Sequence, residues 1–573
     1  MPTTATPIDR LTRVPRTALQ AFALRGARHA GVTPSRVLLP LLASALLQAC
    51  SPTTPPEAPP APASAVPAAM PLFDVEEKSV AELGAAMADG RTTAEGLVLA
   101  YQARIRALDL EGPALRAVLA QNPAALEQAR ALDAKRAAGQ VRGPLHGIPV
   151  LLKDNIDTAD PLPTTAGSLA LAANLSGRDA PLVARLRDAG AVILGKTNLS
   201  AWANFRSEQS ISGWSAVGGL TRNPYALDRS PCGSSSGSGV AAAASLAAVT
   251  IGTETDGSIT CPAAVNGVVG HKPTVGLVSR THIVPISASQ DTAGPMGRSV
   301  ADVALTLDAL AGSDPADART AEADTRRQAY AAALSTDALR GQRIGVLRFQ
   351  AGFHPGTDAV FSAALAQLQA AGAELVEITE RPALDGLRNL GADELTILLA
   401  EFKTGLNAYL DGAPLAVTAR TLADIIAFNR DTPAEMAVFG QNLFELSEAT
   451  QGVDDPAYRA ALARAQPLAA QALDGLLATH RVQALVAPTS GPAWRVDFVN
   501  GDHWVGGSAG TWPAVAGYPH VTVPMGQVHG LPVGLSIIGP AWSDARLLAF
   551  AHAFEQQARA RVKPTYRETV PLP

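Results

Sequence analysis

Apolar positions in this chain recur with two periods, and the boundaries between them mark out alternating helices and strands. Over Val80 to Met87 they fall at the spacing of a helix face, and Gly90 follows. Thr92 to Glu95 (TTAE) is a capping-box pattern, a hydroxyl with an acid three residues on, and it opens a predicted helix from Gly96 to Leu108. Leu145 to Lys153 (LHGIPVLLK) differs: its apolar run is short and continuous, as in a strand buried on both faces, and DNIDT turns the chain after it. The same reading predicts helices over Pro181 to Ala189, from Lys196 to Ala203, and over Val240 to Val249, Val300 to Gly312, Ala359 to Ala371 and Ala545 to Ala558. Strands are predicted at Ala191 to Leu194, Arg343 to Leu347, Glu374 to Ile378, Ala484 to Ala487, His520 to Pro524 and Gly534 to Gly539. This alternation predicts an α/β fold, a parallel or mixed sheet with helices on both faces. Residues 383–480 have few strand signals and read as a helical lid or flanking insertion. No internal repeat is found.

The N-terminal part follows a different pattern. Arg25, Arg28 and Arg36 precede the apolar run Val37 to Ala49, which ends at Cys50. That order of charge, apolar run and small residues resembles a bacterial lipoprotein signal, with Leu47, Gln48 and Ala49 as the lipobox and Cys50 as the lipidated residue. Residues 1–50 are therefore expected to be a leader and 51–72, rich in Pro and Ala, an extended tether. The expected location is outside the cytoplasm, periplasmic or membrane-tethered through Cys50. From Phe73 the composition turns globular, and the 47% apolar content of the 573 residues is ample for a core. The net charge of −5, with no basic tract outside the N-terminus, argues against a nucleic-acid partner. Three cysteines, at positions 50, 232 and 261, exclude a disulfide framework and supply no CxxC, and the histidines show no HExxH spacing. No metal site is expected.

Candidate chemistry gathers in residues 231–276. Cys232 to Gly239 is crowded with Ser and Gly, and Thr253 to Ser258 closes on a lone Ser after a Gly. Such loops let backbone N–H groups approach a ligand closely, and the apolar run between them argues against a linker. A hydroxyl is a weak nucleophile until a base takes its proton, and acyl transfer also needs donors aimed at the oxyanion. Ser258 is the candidate nucleophile and Ser234 the candidate relay, while Thr255, Asp256, Gly257 and Ser258 can offer successive N–H groups. The candidate base is Lys153, because burying an ammonium lowers its pKa by up to about 3–5 units. Taken alone, Lys153 also reads as a solvent-seeking cation or a partner of Asp154 or Asp157, and the serine loop as an anion nest. Gly233 to Gly237 fits GxSxG with Ser235 at its centre, an alternative nucleophile, but that elbow follows a strand and NPYALDRSP is loop-like. A tethered protein that only captures a solute is the non-enzymatic alternative.

CGSSSGSG followed by GTETDGSITCPAAVNGVVGHKPT resembles the amidase signature family. The likeness runs from Ala81 to Glu555 and takes in SQDTAGPM (Ser289 to Met296), APTSGPAW (Ala487 to Trp494), and AGYPHVTVPMG with GLPVGLSIIG (Ala516 to Gly539). It implies one large α/β domain over 73–573 with a central mixed, mostly parallel twisted sheet, a Ser, cis-Ser, Lys triad and no cofactor. Carried over residue by residue, Ser258 is the acylated nucleophile, Ser234 the serine after a cis peptide bond, and Lys153 in GIPVLLKDN the base. Thr255, Asp256, Gly257 and Ser258 match the oxyanion loop, and Ser235 and Asp256 are the expected substrate contacts. The chain departs from the family pattern at Cys232 and Ser236, where Gly is usual, and at Thr260, where Arg is usual. TETDGS, Cys261-Pro262 and NGDHW (Asn500 to Trp504) look most like peptide amidases, which deaminate the C-terminal amide of peptides. The expected partner is a small-molecule or peptide amide, with a membrane contact only through Cys50 and the oligomeric state open.

Overall fold

The computed structural model describes residues 72–571, so the expected leader and all of the expected tether but Leu72 lie outside the described residues. Eleven strands form one sheet. In chain order they are β1 (Val118–Gln121), β2 (Pro149–Lys153), β3 (Val192–Thr197), then β6 (Val249–Glu254), β7 (Val269–Lys272), β8 (Thr292–Gly297), β9 (Arg343–Leu347), β10 (Glu374–Ile378), β11 (Ala484–Pro488), β12 (His520–Val528) and β13 (Leu531–Ile538). A separate small ladder joins β4 (Trp214–Ser215) to β5 (Gly219–Leu220). The order across the main sheet is β1-β3-β2-β6-β8-β7-β12-β13-β11-β9-β10.

The sheet is mixed, with helices on both faces, as expected, but parallel pairs do not predominate. Parallel pairing is confined to β3-β2-β6 on one side and β11-β9-β10 on the other. From β6 through β8, β7, β12 and β13 to β11 every neighbour is antiparallel. Within that run β12 and β13 form a hairpin: only His529 and Gly530, both at positive φ, separate them, the backbone that a tight hairpin requires.

Two predicted helices turn out otherwise. The Val240 to Val249 run is split: the helix spans Ser236–Ala243, and Val249 already belongs to β6. A continuous apolar run has no period that separates buried helix from buried strand. Lys196 lies in β3 rather than in a helix, and only a short turn, Ala201–Asn204, follows, with Trp202 and Ala203 at positive φ. The hydroxyl that caps the helix after TTAE is that of Thr93, not Thr92, and it accepts from Gly96 N at 3.0 Å. Strands β1, β7 and β8 carry Gly, Pro or polar residues and gave no strand signal; β8 reads TAGPMG.

The main core lies on both faces of the sheet and includes Val150, Leu151, Leu152, Val249 and Ile251 from its parallel part. A second apolar cluster joins the Trp202–Trp214 loop to Phe402, Leu406 and Phe444, which lie on helices Leu390–Asp411 and Asn442–Ala449. Helices Leu422–Asp431 and Pro456–His480 complete that stretch. The two layers are pinned by a fully buried ion pair, Arg206 Nη1 to Glu435 Oε2 at 3.0 Å. Because β2 and β6 run parallel, with Val150 opposite Val249 and Leu152 opposite Ile251, their C-terminal ends reach the same edge. Strand C-terminal ends are where open α/β sheets bind ligands.

Candidate active site

Lys153 is the last residue of β2, and its side chain is wholly buried, at 0% exposure. Among the described residues its amine meets no carboxylate. Nζ donates to Ser234 Oγ at 2.7 Å, to Thr253 Oγ1 at 2.8 Å and to Thr253 O at 3.2 Å. Burial pushes its pKa down to about 7, with the carboxylates of Asp291 and Glu254 pulling the other way. Two other lysines are equally buried but placed differently. Lys196 bonds Ile156 O and Thr164 Oγ1 and lies 3.6 Å from Asp154 Oδ1, and Lys272 donates to Pro273 O at 3.3 Å. Lys153 is thus the buried lysine in contact with a serine hydroxyl.

Ser234 follows a cis Gly233–Ser234 peptide. Its carbonyl accepts from Ser200 N at 3.1 Å. The next residue joins the two serine loops: Ser235 N donates to Ser258 O at 3.1 Å. The Ser235 hydroxyl is fully buried, donates to Thr253 O at 3.0 Å and accepts from Thr253 N at 3.2 Å. This oxygen, expected as a substrate contact and as the GxSxG alternative nucleophile, is thus engaged by the β6 backbone, which argues against both roles for the hydroxyl. Gly233 is demanded by space, since a Cβ there would lie 2.3 Å from Ser200 Oγ.

Ser258, 8% exposed, ends the turn that leaves β6. Gly257 supplies the left-handed bend, at φ +77°, which other residues adopt only under strain. Among the described residues, the N–H groups of Asp256, Gly257 and Ser258 make no hydrogen bond. Thr255 is held at its side chain instead, donating to Asp291 Oδ1 at 2.6 Å, while Asp291 Oδ2 accepts from Ile286 N and Ser287 N. Beyond the turn, Glu254 Oε2 accepts from Ile259 N at 2.7 Å and Thr260 N at 2.9 Å. Thr253, Glu254 and Asp291 were not singled out from the sequence. All three lie inside quoted motifs, but a supporting carboxylate has no spacing that marks it.

A cavity of about 340 Å³ opens on this turn. Gly233 and Gly257, the residues just before Ser234 and Ser258, line it, with Asp256, Trp494, Asp502 and Trp504. Asp256 is partly buried and accepts from Thr511 Oγ1 at 2.8 Å; burial pushes its pKa up to about 6. Behind it, burial and then the Asp256 charge push Glu394 up to about 8. A second cavity of about 230 Å³, lined by Asn155, Thr253, Thr255, Arg280 and Asp291, borders the same strand ends. We assign the site to the first, because the residues flanking both serines face it. Its wall also holds a bond that cysteine counting did not anticipate: Cys232 and Cys261 form a disulfide.

The amidase family model matches residues 96–548. The solved structure of the native peptide amidase from Stenotrophomonas maltophilia is 52% identical, with a TM-score of 0.80, over 86% of this chain and 99% of that one. The crystal structure of an amidase family protein from Bacillus anthracis is 36% identical, with a TM-score of 0.77, over 86% and 93% of the two chains. A protein of Arabidopsis thaliana named as a probable amidase is 38% identical over 503 residues, 86% of this chain and 92% of its own. A match of this extent, on a chain that brings a buried lysine, a cis-linked serine and a turn of free amides to one sheet edge, makes the protein an amide hydrolase of the amidase family.

Proposed function

We propose that Ser258 is the nucleophile, Ser234 the proton relay and Lys153 the base in hydrolysis of the C-terminal carboxamide of a peptide. The observation that carries this reading is the 2.7 Å contact between the amine of Lys153 and the hydroxyl of Ser234 in a site that excludes water from both. With a pKa near 7, a substantial share of Lys153 is neutral at neutral pH, and only the neutral amine can accept a proton. Ser258 Oγ attacks the amide carbon, its proton passes to Ser234, and the Ser234 proton passes to Lys153. The oxyanion is met by N–H groups of the Thr255–Ser258 turn, which supports the assignment by having amides to spare. The C–N bond then breaks, the nitrogen takes a proton back along the relay, and ammonia leaves. Water repeats the sequence on the acyl-Ser258 ester and releases the acid. Asp256 contacts the substrate, its carboxylate directed by Thr511.

The peptide preference is supported by the 52% identity to a peptide amidase and by the aromatic rim, Trp494 and Trp504, at the cavity. We also infer export and a lipid tether at Cys50, on the leader pattern in residues 1–50. The test of function is ammonia release from a panel of amides that includes peptide C-terminal carboxamides, together with fluorophosphonate labelling. Labelling and turnover are expected to vanish in Ser258→Ala. Tight reversible binding of an amide, with neither labelling nor turnover in the wild type, would mean a binding protein instead.

A further inference from the structure

We propose that the Cys232–Cys261 disulfide is a positioning element of the reaction, and that the enzyme works at full rate only while this bond is closed. The inference rests on the serine assignments just given. Cys232 lies two residues before Ser234, and Cys261 three residues after Ser258, so one covalent bond closes the two serine-bearing loops on each other. Other ties between these loops lie deeper. Ser235 N donates to Ser258 O, and the buried Asn266 donates to Pro231 O at 2.9 Å and to Pro262 O at 2.7 Å. The disulfide instead forms part of the cavity wall, packed against Val265, Ala493 and Trp494.

The geometry couples the bond to both hydroxyls. Cys232 adopts a positive φ, its N–H donates to Ser230 Oγ, and its carbonyl accepts from Ser236 Oγ at the start of the next helix. Cys261 N donates to Gly257 O at 2.8 Å, across the turn that holds the free amides. Freeing the sulfurs therefore loosens the front of the site on both sides while the rear contacts and the core remain. Cys261 is only partly buried, so a small dithiol can reach it from the cavity. The dithiol supplies two electrons and two protons, the S–S bond becomes two cysteine thiols, and the reductant leaves as a cyclic disulfide. Structural disulfides persist in oxidising compartments. Such a compartment is where the leader of residues 1–50 is read to send the chain, so the need for a closed bond would hold activity low until export.

The experiment uses the folded full chain, exposed to dithiothreitol without denaturant and then reoxidised. Thiol titration should show two additional thiols on reduction. Phosphonylation of Ser258 by the fluorophosphonate, with loss of fluoride, should then slow about 10-fold to 100-fold, the range expected for displacing a reacting group by up to about 1 Å. The fraction labelled at completion should not change, kcat for a peptide amide should fall more than KM changes, and reoxidation should restore the rate. Cys232→Ser/Cys261→Ser should match the reduced enzyme and ignore the dithiol; if it does not fold, the reduction cycle alone decides. Two new thiols with an unchanged labelling rate overturn the proposal, and so does a labelled fraction that falls in step with the rate, which means unfolding rather than positioning. An oxidised enzyme that is not labelled at Ser258 removes the site assignment itself, whereas Ser258 labelling indifferent to reduction removes only this inference.

Discussion

Replacing Lys153 by Met deletes the amine and leaves an unbranched apolar chain of similar length at the end of β2. The structure sets what should change. A fall in pKa from 10.5 to about 7 amounts to a bias on the order of 5 kcal/mol against the ammonium, created by burial. In the wild type this leaves about half of the molecules with a neutral amine at pH 7 and about a tenth at pH 6. The sign follows: protonation occupies the base, so kcat/KM should rise with pH and level off above an apparent pKa near 7. In Lys153→Met the hydroxyls of Ser234 and Thr253 each lose a donor, roughly 1 kcal/mol apiece. The cost of burying an amine disappears as well, so the variant should fold and melt near the wild type. Turnover should drop about 10²-fold to 10⁴-fold, the usual contribution of a general base. The assay is ammonia release from a peptide carboxamide between about pH 5 and about pH 9, with the residual rate of the variant flat where the wild type rises. A variant within tenfold of the wild type, or a wild-type profile flat through pH 7, would refute the assignment.

Other consequences can be checked beside it. Ser235→Ala should keep fluorophosphonate labelling yet lose about 1–3 kcal/mol in chemical denaturation, because it strands the buried N–H of Thr253; loss of labelling with stability intact would restore Ser235 as a nucleophile. Gly257→Ala meets open space at Cβ but must hold φ +77°, at about 1–2 kcal/mol. If the turn relaxes to avoid that strain, it re-aims the oxyanion donors, and kcat should fall about 10²-fold, as for loss of one donor, with a small change in melting temperature. Glu435→Ala leaves Arg206 buried without its carboxylate, so a destabilisation of about 3–5 kcal/mol is expected by denaturant titration, against little change for an exposed pair such as Arg340 with Asp337.

Local order was legible wherever one residue type or one period had a single meaning. The unbroken apolar run of β2 announced a doubly buried strand, and in the fold that strand is buried throughout with the lysine at its end inside rather than in solvent. The small-residue loops likewise required backbone close to something, and in the structure Asp256 and Gly257 line a cavity while their N–H groups and that of Ser258 make no hydrogen bond among the described residues. Where a pattern had two meanings the sequence alone misled. The Ala-rich run after Ser236 fits a buried helix or a buried strand, and it is partly each. Strand direction was invisible too, because a buried strand has the same composition whichever way its neighbours run.

What the chain determined by itself is therefore the chemistry at hand: a lysine bound for the interior, hydroxyls on glycine-supported turns, and enough apolar surface to bury them. The tertiary structure decided which groups meet. It set Lys153 against Ser234 rather than an aspartate, turned Ser235 inward onto Thr253, and gave Glu254 and Asp291 the task of holding the turn. It also paired two cysteines that lie 29 residues apart. Such contacts depend on which strand ends share a sheet edge, a property of topology that no local stretch of residues encodes.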